Sequence, residues 1–355
     1  MMGRMGKWIS GNKKKTVFLV FVSMIVGYCT VPIPVPLFLP DWVTDTRIPV
    51  SQVVWLDSRR IVVWRGESRR NPGEPGGKAE YVLWTNGPDG GSVTPVDDIN
   101  TLVGPDFCDG SGVVWNVQTK RREWSEVTKD GMVNNDFVCA ETPIPDSAKG
   151  LSVFALRPGH GVISRPLRDR EADYDSEEWK SPYRWHADDG SGRVVTLPMG
   201  YGNLDFSTED IKYAPFLDAY LANHGFHEKG TDCDLAWWIY PGPKFEKFCA
   251  TARGSGFTLF PTRLGVASSS RSVNILVGDI FENGIYLGVE GRTVRLLNGY
   301  GYGLKVSPDG CRMAISHSRR IQAPPDGTPF YLYIIDLCGH EAEIRELPGA
   351  AFDGI

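Results

Sequence analysis

Val306-Ser-Pro-Asp-Gly310 opens a tight turn near the end of the chain, with proline and glycine where a type I turn favours them. Cys311-Arg-Met-Ala-Ile315 follows directly and has the composition of a short strand. Tyr331-Leu-Tyr-Ile-Ile-Asp-Leu337 has the aromatic and β-branched residues expected of an antiparallel partner. The stretch therefore predicts a small unit of antiparallel sheet.

Weaker copies of this unit recur upstream. Leu56-Asp-Ser-Arg-Arg-Ile-Val-Val63 and Asp109-Gly-Ser-Gly-Val-Val-Trp115 both run from a turn containing aspartate into an apolar strand, and Glu282–Leu287 is a fainter copy. Counting them gives about six units of roughly 40 to 55 residues, the length of a β-propeller blade. The predicted units are 46–100, 101–146, 147–200, 211–252, 256–298 and 299–348.

The repeats predict an all-β fold, a six-bladed β-propeller. One such unit cannot bury both faces of its sheet, so neighbouring units must stack, and closing the stack into a ring leaves only short edges. A pair of β-sandwiches is the alternative, because strand spacing does not separate the two folds. After residue 31, only 211–223 has any helical character, and Pro215 argues against much of that.

The last unit resembles the WD-like repeat of TolB-type periplasmic β-propeller proteins. The resemblance lies in Ser307-Pro-Asp-Gly310, the strand after it and Leu332-Tyr-Ile-Ile-Asp336, and it is loose at Asp57 and Asp109. It implies a six-bladed propeller, an exported location and a protein-binding role. It implies no catalytic residues.

The amino-terminal 31 residues predict a membrane anchor. Five basic residues precede an apolar run from Thr16 to Val31, which would keep the basic flank in the cytoplasm and send the rest across the membrane. A cleaved signal peptide, with Gly27 and Cys29 at the cleavage site, and a buried helix are the alternatives. The expected organisation is basic flank and anchor helix 1–31, proline-rich linker 32–45 and propeller 46–350, with the globular domain in the periplasm or outside the cell.

The overall charge and composition of the chain narrow the class of molecule that it can bind. The 355 residues carry a formal net charge of −5, with both signs mixed along the chain, so no nucleic-acid-binding footprint is present. The 41% of hydrophobic residues and the 11 tryptophans suffice for a packed core. We expect the partner to be another envelope protein.

Six of the seven cysteines are predicted to form three local disulfides, as suits an exported protein. Folding the hairpin at 241–244 brings Cys233 near Cys249. The ends of the last strand pair bring Cys311 near Cys338. Cys108 and Cys139 are then left for each other. Buried free thiols are the alternative.

Two imidazoles and three carboxylates gather between residues 224 and 234, and four of these residues form the candidate metal site. The residues are His224, His227, Asp232 and Asp234. Zinc or another divalent ion accepts such ligands, but the neighbouring glycines favour a solvated loop and no cofactor. The alternating acids of 169–178 are a weaker candidate for calcium, since they lack the spacing of an EF-hand.

Paired arginines recur near the predicted hairpins, at Arg59-Arg60 and Arg319-Arg320 among other places. Solvated loop charge is the simpler interpretation, and a basic rim that contacts a partner is the functional one.

Two functions remain open from the sequence. The first is a non-catalytic, membrane-anchored scaffold that binds a protein partner. The second is a propeller enzyme acting on sugars or lactones, with a divalent ion such as calcium or zinc. An enzyme needs converging carboxylates, and the candidates are Asp57, Asp106, Asp109, Asp309 and Asp336. Aspartate at such turns usually caps its own backbone, so we favour the scaffold.

Overall fold

The structure is a computed structural model. It describes residues 39–50, 52–65, 80–85, 93–95, 99–103, 113–116, 123–127, 133–134, 142–165, 183–197, 211–227, 234–242, 244–250, 259–275, 278–289, 292–318 and 330–346.

The described residues form 24 strands and little helix. The strands are β1 (Val43–Pro49), β2 (Gln52–Trp55), β3 (Arg60–Arg65), β4 (Glu80–Thr85), β5 (Val93–Pro95), β6 (Ile99–Val103), β7 (Val113–Asn116), β8 (Glu123–Val127), β9 (Val133–Asn134), β10 (Ser152–Ala155), β11 (Val162–Arg165), β12 (Arg184–His186), β13 (Val194–Thr196), β14 (Ile211–Ala214), β15 (Ala219–His227), β16 (Asp234–Tyr240), β17 (Lys244–Ala250), β18 (Phe260–Pro261), β19 (Val266–Ile275), β20 (Gly278–Val289), β21 (Arg292–Asn298), β22 (Tyr300–Val306), β23 (Arg312–Ser318) and β24 (Tyr331–Asp336). A 3₁₀ turn spans Asp146–Ala148, and a short helix, α1, spans Glu341–Glu346.

The strands form antiparallel sheets of four, which confirms the all-β prediction. Five sheets each contain four strands that are consecutive in the chain, beginning at β2, β6, β10, β14 and β18. A further sheet contains β22, β23 and β24 and takes β1 as its fourth strand. Each of the five sheets of consecutive strands lies within one predicted repeat, except that β6 begins two residues before the boundary at 101. β1, which overlaps the predicted linker and the first predicted repeat, instead pairs with a strand of the last repeat.

The strand β1 joins the two ends of the described chain. Val43 lies opposite Ile335 in the register of β1 and β24. The amide of Asp336 donates to the carbonyl of Trp42 at 2.8 Å, and the Thr46 hydroxyl donates to the Leu332 carbonyl at 2.9 Å. The sheet that begins last in the sequence is therefore completed by the first described strand.

The two faces of this sheet pack against different neighbours. Along β23, Met313 and Ile315 belong to a core cluster with Ile285 and Leu287 of β20. Ala314, between them, belongs to another cluster with Val53 and Ile61 of β2 and β3. Because side chains alternate faces along a strand, the sheet is stacked between two others, as propeller blades are.

The first strands of neighbouring sheets also lie against one another. β2 contacts β6 on one side and β22 on the other, and β18 contacts β14 and β22. These strands are therefore the innermost part of the stack.

Residues 211–223 form strands rather than a helix. β14 ends at Ala214, a turn containing Pro215 follows, and β15 begins at Ala219. Asp218, in this turn, is the only non-glycine residue with positive φ in the described part of the chain, at 48°. Aspartate tolerates this left-handed conformation. Pairing of both strands within one sheet outweighs their weak helical character.

The anchor predicted at the amino terminus lies outside the described residues, which begin at 39. Within the described ranges, no helix is both long and apolar enough to cross a bilayer.

One of the three predicted disulfides is confirmed. Cys311 and Cys338 are bonded, and their Cα atoms lie 5.1 Å apart. Cys249 lies in β17 opposite Leu235. Its predicted partner Cys233, together with Cys108 and Cys139, lies outside the described residues, so these two pairings stay predictions.

Replacing Cys311 and Cys338 by serine is expected to lower the free energy of unfolding by about 3.5 kcal/mol, since the bond closes a 27-residue separation. Urea denaturation, followed by tryptophan fluorescence, measures the change. The unsubstituted chain under reducing conditions is the control for the mutated side chains. Equal midpoints for the oxidised chain and the serine variant would contradict this expectation.

Candidate functional site

Five hairpin turns, each following the first strand of a sheet, form a surface that we call the turn face. They span 56–59, 156–161, 215–218, 262–265 and 307–311. Each turn joins the first and second strands of its sheet, so all of them lie at the same end of the stacked sheets.

Hydrogen bonds connect turns of different sheets across the turn face. Arg312 Nη1 donates to the Ser58 carbonyl at 2.8 Å, which links the last sheet to the first. The amide of Arg263 donates to the Gly310 carbonyl at 2.9 Å, which links the last sheet to its other neighbour. The relative positions of these turns are therefore fixed by hydrogen bonds to backbone carbonyls.

A pocket of about 60 Å³ opens among the innermost strands at this end of the molecule. Four sheets contribute to it through β2, β14, β18 and β22 and the turns that follow. The lining residues are Val54, Trp55, Lys212, Tyr213, Ala214, Pro215, Phe216, Phe260, Pro261, Lys305, Val306, Ser307 and Pro308.

The pocket combines aromatic and proline rings with two cations. Lys212 places its Nζ 5.6 Å from the centroid of the Phe260 ring, within cation–π distance. The backbone of Lys305 is fixed because Trp55 Nε1 donates to its carbonyl at 3.0 Å. No carboxylate is among the described residues that line the pocket. Its described walls therefore combine apolar rings with two lysines.

Two of the candidate carboxylates, Asp57 and Asp309, cap the backbone of their turns. Asp57 accepts from the amides of Arg59 and Arg60 at 2.8 and 2.7 Å, and from Arg60 Nε at 2.7 Å. Partial burial raises the pKa of Asp57, but these hydrogen bonds outweigh it, so its pKa lies below the ordinary value. Asp309 accepts from the Ser307 hydroxyl and the Cys311 amide. Each carboxylate thus stabilises its own turn.

Asp336 is the third described carboxylate among the candidates for an enzyme site, and it also stabilises local structure. It accepts from the Gly339 amide and pairs with Arg312 at 3.4 Å. Asp106 and Asp109 lie outside the described residues.

A second polar cluster joins the turns 156–161 and 215–218. His160 Nε2 and Asp218 Oδ1 lie 2.9 Å apart, and the Tyr213 hydroxyl donates to the same oxygen at 2.7 Å. Burial and the hydrogen bond to Asp218 raise the pKa of Tyr213 to about 12. The guanidinium of Arg157 covers the Tyr213 ring at 4.7 Å. The cluster keeps Tyr213 protonated and holds one wall of the pocket.

His186 connects the 3₁₀ turn to the sheet beneath it. Its Nδ1 lies 2.8 Å from the exposed Ser147 hydroxyl, and its Nε2 lies 2.6 Å from the buried Ser164 hydroxyl. Burial, and secondarily the charge of Arg184, lower the pKa of His186. The neutral ring can accept from one hydroxyl and donate to the other.

Mild acid is expected to destabilise the fold through His186. Because the folded-state pKa is lowered, the unfolded chain binds the proton more readily, and stability falls as pH decreases below about 6.5. His186→Gln should reduce the difference between urea midpoints at pH 7.5 and pH 5.5. His340→Gln, at the start of α1, is the control and should preserve the difference. An unchanged pH difference in His186→Gln would contradict the expectation.

The residues of the predicted metal site lie around the hairpin between β15 and β16. In the backbone register, His227 lies opposite Asp234, and His224 belongs to β15. Asp232, like residues 169–178, lies outside the described part of the chain. No group of three or more histidine, cysteine, aspartate or glutamate residues suited to a metal ion occurs among the residues that the structure describes.

Of the arginines in the predicted basic rim, the structure describes only the pair Arg59 and Arg60. Arg59 is exposed on the turn face, whereas Arg60 pairs with Asp57. Arg60 therefore supports the turn, and Arg59 is the member available to a partner. Arg319 and Arg320 lie outside the described residues.

The comparisons with known proteins assign no family to this chain. No family model and no curated protein matches the sequence. A gluconolactonase from Xanthomonas campestris has a similar structure, with 13% identity and a TM-score of 0.40 over 83% of this chain and 89% of the other. A protein of unknown function from Desulfotomaculum acetoxidans has 10% identity and a TM-score of 0.26 over 72% and 76% of the two chains.

The sequence did not indicate the pocket. Lys212 and Lys305 are each located in the first strand of a repeat, and an alignment of first strands could have drawn attention to them. Their convergence depends on which sheets are adjacent and how they are registered, and neither is visible in the sequence.

Proposed function

We propose that this chain is a non-catalytic scaffold that binds a protein partner at the turn face. Its globular part is a six-bladed propeller, and an uncleaved helix in residues 16–31 holds it at the membrane of a bacterial envelope. The supporting observation is the character of the recess at the innermost strands, which is lined by aromatic and proline rings.

The stacked sheets support the six-bladed ring in this proposal. Six four-stranded sheets in the described residues, with β1 closing the last of them, match a ring of six blades. In such a ring the innermost strands line the axis, and the turn face is one of its two ends. A partner seated there contacts several blades at once.

The recess also has the size of a partner's side chain rather than of a substrate. Small-molecule sites usually measure about 300 to 1,000 Å³, whereas this pocket measures about 60 Å³. Exposed apolar surface continues beside it at Leu217, which is 39% exposed in the neighbouring turn. Apolar patches with aromatic anchors are typical of protein interfaces.

Site-specific photo-crosslinking in intact cells tests the proposal. A photoreactive amino acid replaces Leu217 on the turn face, and in a control chain it replaces Val194, which is similarly exposed at 41% on the outer strand β13. One dominant adduct is expected from position 217 and none from 194.

Two results would overturn the scaffold proposal. One is an absence of adducts at position 217 while the chain is folded and present in the envelope. The other is the same set of adducts at both positions. A stoichiometric divalent ion in the purified chain, together with either result, would redirect attention to the enzyme alternative and to His224, His227, Asp232 and Asp234.

A further inference from the structure

We infer that Ser147 is a nucleophilic serine, activated by His186, that accepts an acyl group from an ester with a good leaving group. The inference goes beyond the proposed function and does not depend on it, since neither residue lines the pocket between the innermost strands. It follows from a row of three hydrogen-bonded side chains, which are Ser147, His186 and Ser164.

The three side chains run from the surface into the interior. Ser147 is exposed on the 3₁₀ turn, whereas His186 and Ser164 are almost fully buried. The Ser147 hydroxyl lies 2.8 Å from Nδ1 of His186, and Nε2 of the same ring lies 2.6 Å from the Ser164 hydroxyl. A nucleophile, a base within hydrogen-bond reach and a third group that orients the base together define an activated nucleophile.

Burial sets the protonation of His186, the middle group of the three. It lowers the pKa of His186, so the ring is neutral near pH 7 and one of its nitrogens carries a free electron pair. When Nε2 carries the proton and donates it to Ser164, Nδ1 accepts from the Ser147 hydroxyl. His186 is then placed to take the Ser147 proton as Oγ attacks a carbonyl carbon.

The turn that carries Ser147 is held at both ends. Ala148, next to Ser147, is buried, and its amide donates to the Pro145 carbonyl at 2.9 Å. The Leu151 amide donates to the Ala148 carbonyl at 3.2 Å, which connects the turn to the start of β10. Because His186 belongs to β12, both partners of the 2.8 Å contact lie on ordered backbone. Little conformational entropy is therefore lost when an acyl donor arrives.

The turn favours an uncharged donor. Asp146 and Lys149, which flank Ser147 in the chain, pair with each other at 2.6 Å. Their charges largely cancel, so the turn itself offers no excess of positive charge to a phosphoryl donor. Ile144, three residues before Ser147, is exposed and offers apolar surface to a carbon chain or an aryl group. An aryl ester or a thioester fits this chemistry.

The proposed step is acyl transfer. Ser147 Oγ forms a bond to the carbonyl carbon of the donor, and its proton passes to Nδ1 of His186. The bond between the carbonyl carbon and the leaving oxygen or sulfur then breaks. The leaving group departs with the electron pair, and the proton on His186 passes to it or to water. The products are an O-acylserine and a phenol or thiol, so atoms and charges balance without a further reactant.

Acetylation of the purified full chain by p-nitrophenyl acetate tests the inference without any substitution. Peptide mass spectrometry compares Ser147 with Ser191, an exposed serine in the turn after β12, whose hydroxyl oxygen accepts from the Arg193 amide. We expect Ser147 to be acetylated at least tenfold faster than Ser191, since a positioned general base usually contributes about 100-fold or more. Equal rates at the two serines would overturn the inference.

Two substitutions ask whether His186 is the base. His186→Asn keeps an amide near the position of Nδ1, and His186→Gln keeps one near Nε2, but neither amide can take a proton. Each should slow acetylation of Ser147 at least tenfold and leave Ser191 unchanged, provided that its urea midpoint shows a folded chain. Undiminished acetylation of Ser147 in either folded variant would refute the role of His186.

Ser164 is a positioning residue, because it acts on Ser147 only through the ring of His186. Ser164→Ala leaves both reacting groups in place and should slow acetylation of Ser147 several-fold. Ser164→Thr restores a hydroxyl at the same position and should recover the rate. An unchanged rate in Ser164→Ala, or no recovery in Ser164→Thr, would refute the orienting role of this hydroxyl.

Release of p-nitrophenolate separates the inference from the proposed function. Release is measured relative to Ser147→Ala, so that acetylation of other residues is subtracted. One equivalent per chain would show a modification site and agree with a non-catalytic scaffold. Continued release would support the nucleophile and refute the non-catalytic part of the proposed function. Release equal to that of Ser147→Ala would refute the nucleophile and leave the scaffold standing.

Discussion

Gly161→Ala is expected to destabilise the fold far more than Gly159→Ala, although both glycines have φ of +86° in the same turn. A Cβ at 161 would lie 2.5 Å from the His186 carbonyl oxygen and 2.5 Å from Trp185 Nε1, whereas a Cβ at 159 meets nothing within 4 Å. The left-handed conformation alone costs about 1 to 2 kcal/mol. Crowding adds about 1 to 3 kcal/mol.

The difference in stability between Gly161→Ala and Gly159→Ala therefore measures the cost of steric crowding at position 161. We expect losses of about 1 to 2 kcal/mol for Gly159→Ala and of about 2 to 5 kcal/mol for Gly161→Ala in urea denaturation. The larger loss also displaces the Trp185 indole, which donates to the His160 carbonyl at 2.6 Å. Equal midpoints for the two variants would show that the close approach at Gly161 does not exist.

Trp42→Ala is expected to lower the free energy of unfolding by about 3 to 5 kcal/mol, the usual range for a buried tryptophan. Trp42 is 4% exposed and packs into the core cluster beside β24. Its loss leaves a cavity at the junction where β1 completes the last sheet.

Tyr331→Ala is the control for this change, since Tyr331 is an aromatic residue of β24 that is 38% exposed. We expect its loss to cost about 1 kcal/mol or less. Urea midpoints for both variants are compared with that of the unsubstituted chain. If Trp42→Ala were no more harmful than Tyr331→Ala, β1 would contribute little to the stability of the closing sheet.

Local signals in the sequence were sufficient for the strands and turns. The turn at 307–310 and the apolar strand that contains Met313, Ala314 and Ile315 follow from chemistry within a few residues. The Cys311–Cys338 bond was predictable for the same reason, since it joins the ends of one strand pair. The weak helical character at 211–223, against which Pro215 already argued, gives way to strands, because pairing between β14 and β15 is a property of the sheet.

The candidate site was not predictable, since it depends on long-range geometry. Trp55, Lys212, Phe260 and Lys305 come from four sheets and meet only when the sheets stack in a definite order. Nothing in the residues near Lys212 indicates that Lys305 will share its pocket. The clusters at His160 and His186 have the same origin, because their partners lie on other turns and strands.

The pairing of β1 with β24 has a consequence for how the chain is made. Thr46 and Leu332, which are hydrogen-bonded in the finished protein, are 286 positions apart. A ribosome adding about 5 to 20 residues per second needs roughly 15 to 60 s to synthesise the intervening chain. Throughout that interval β1 is an unpaired edge, which is a template for aggregation. Factors that shield nascent chains should therefore act on residues 39–50, and overproduction should be limited by the lifetime of this one exposed strand.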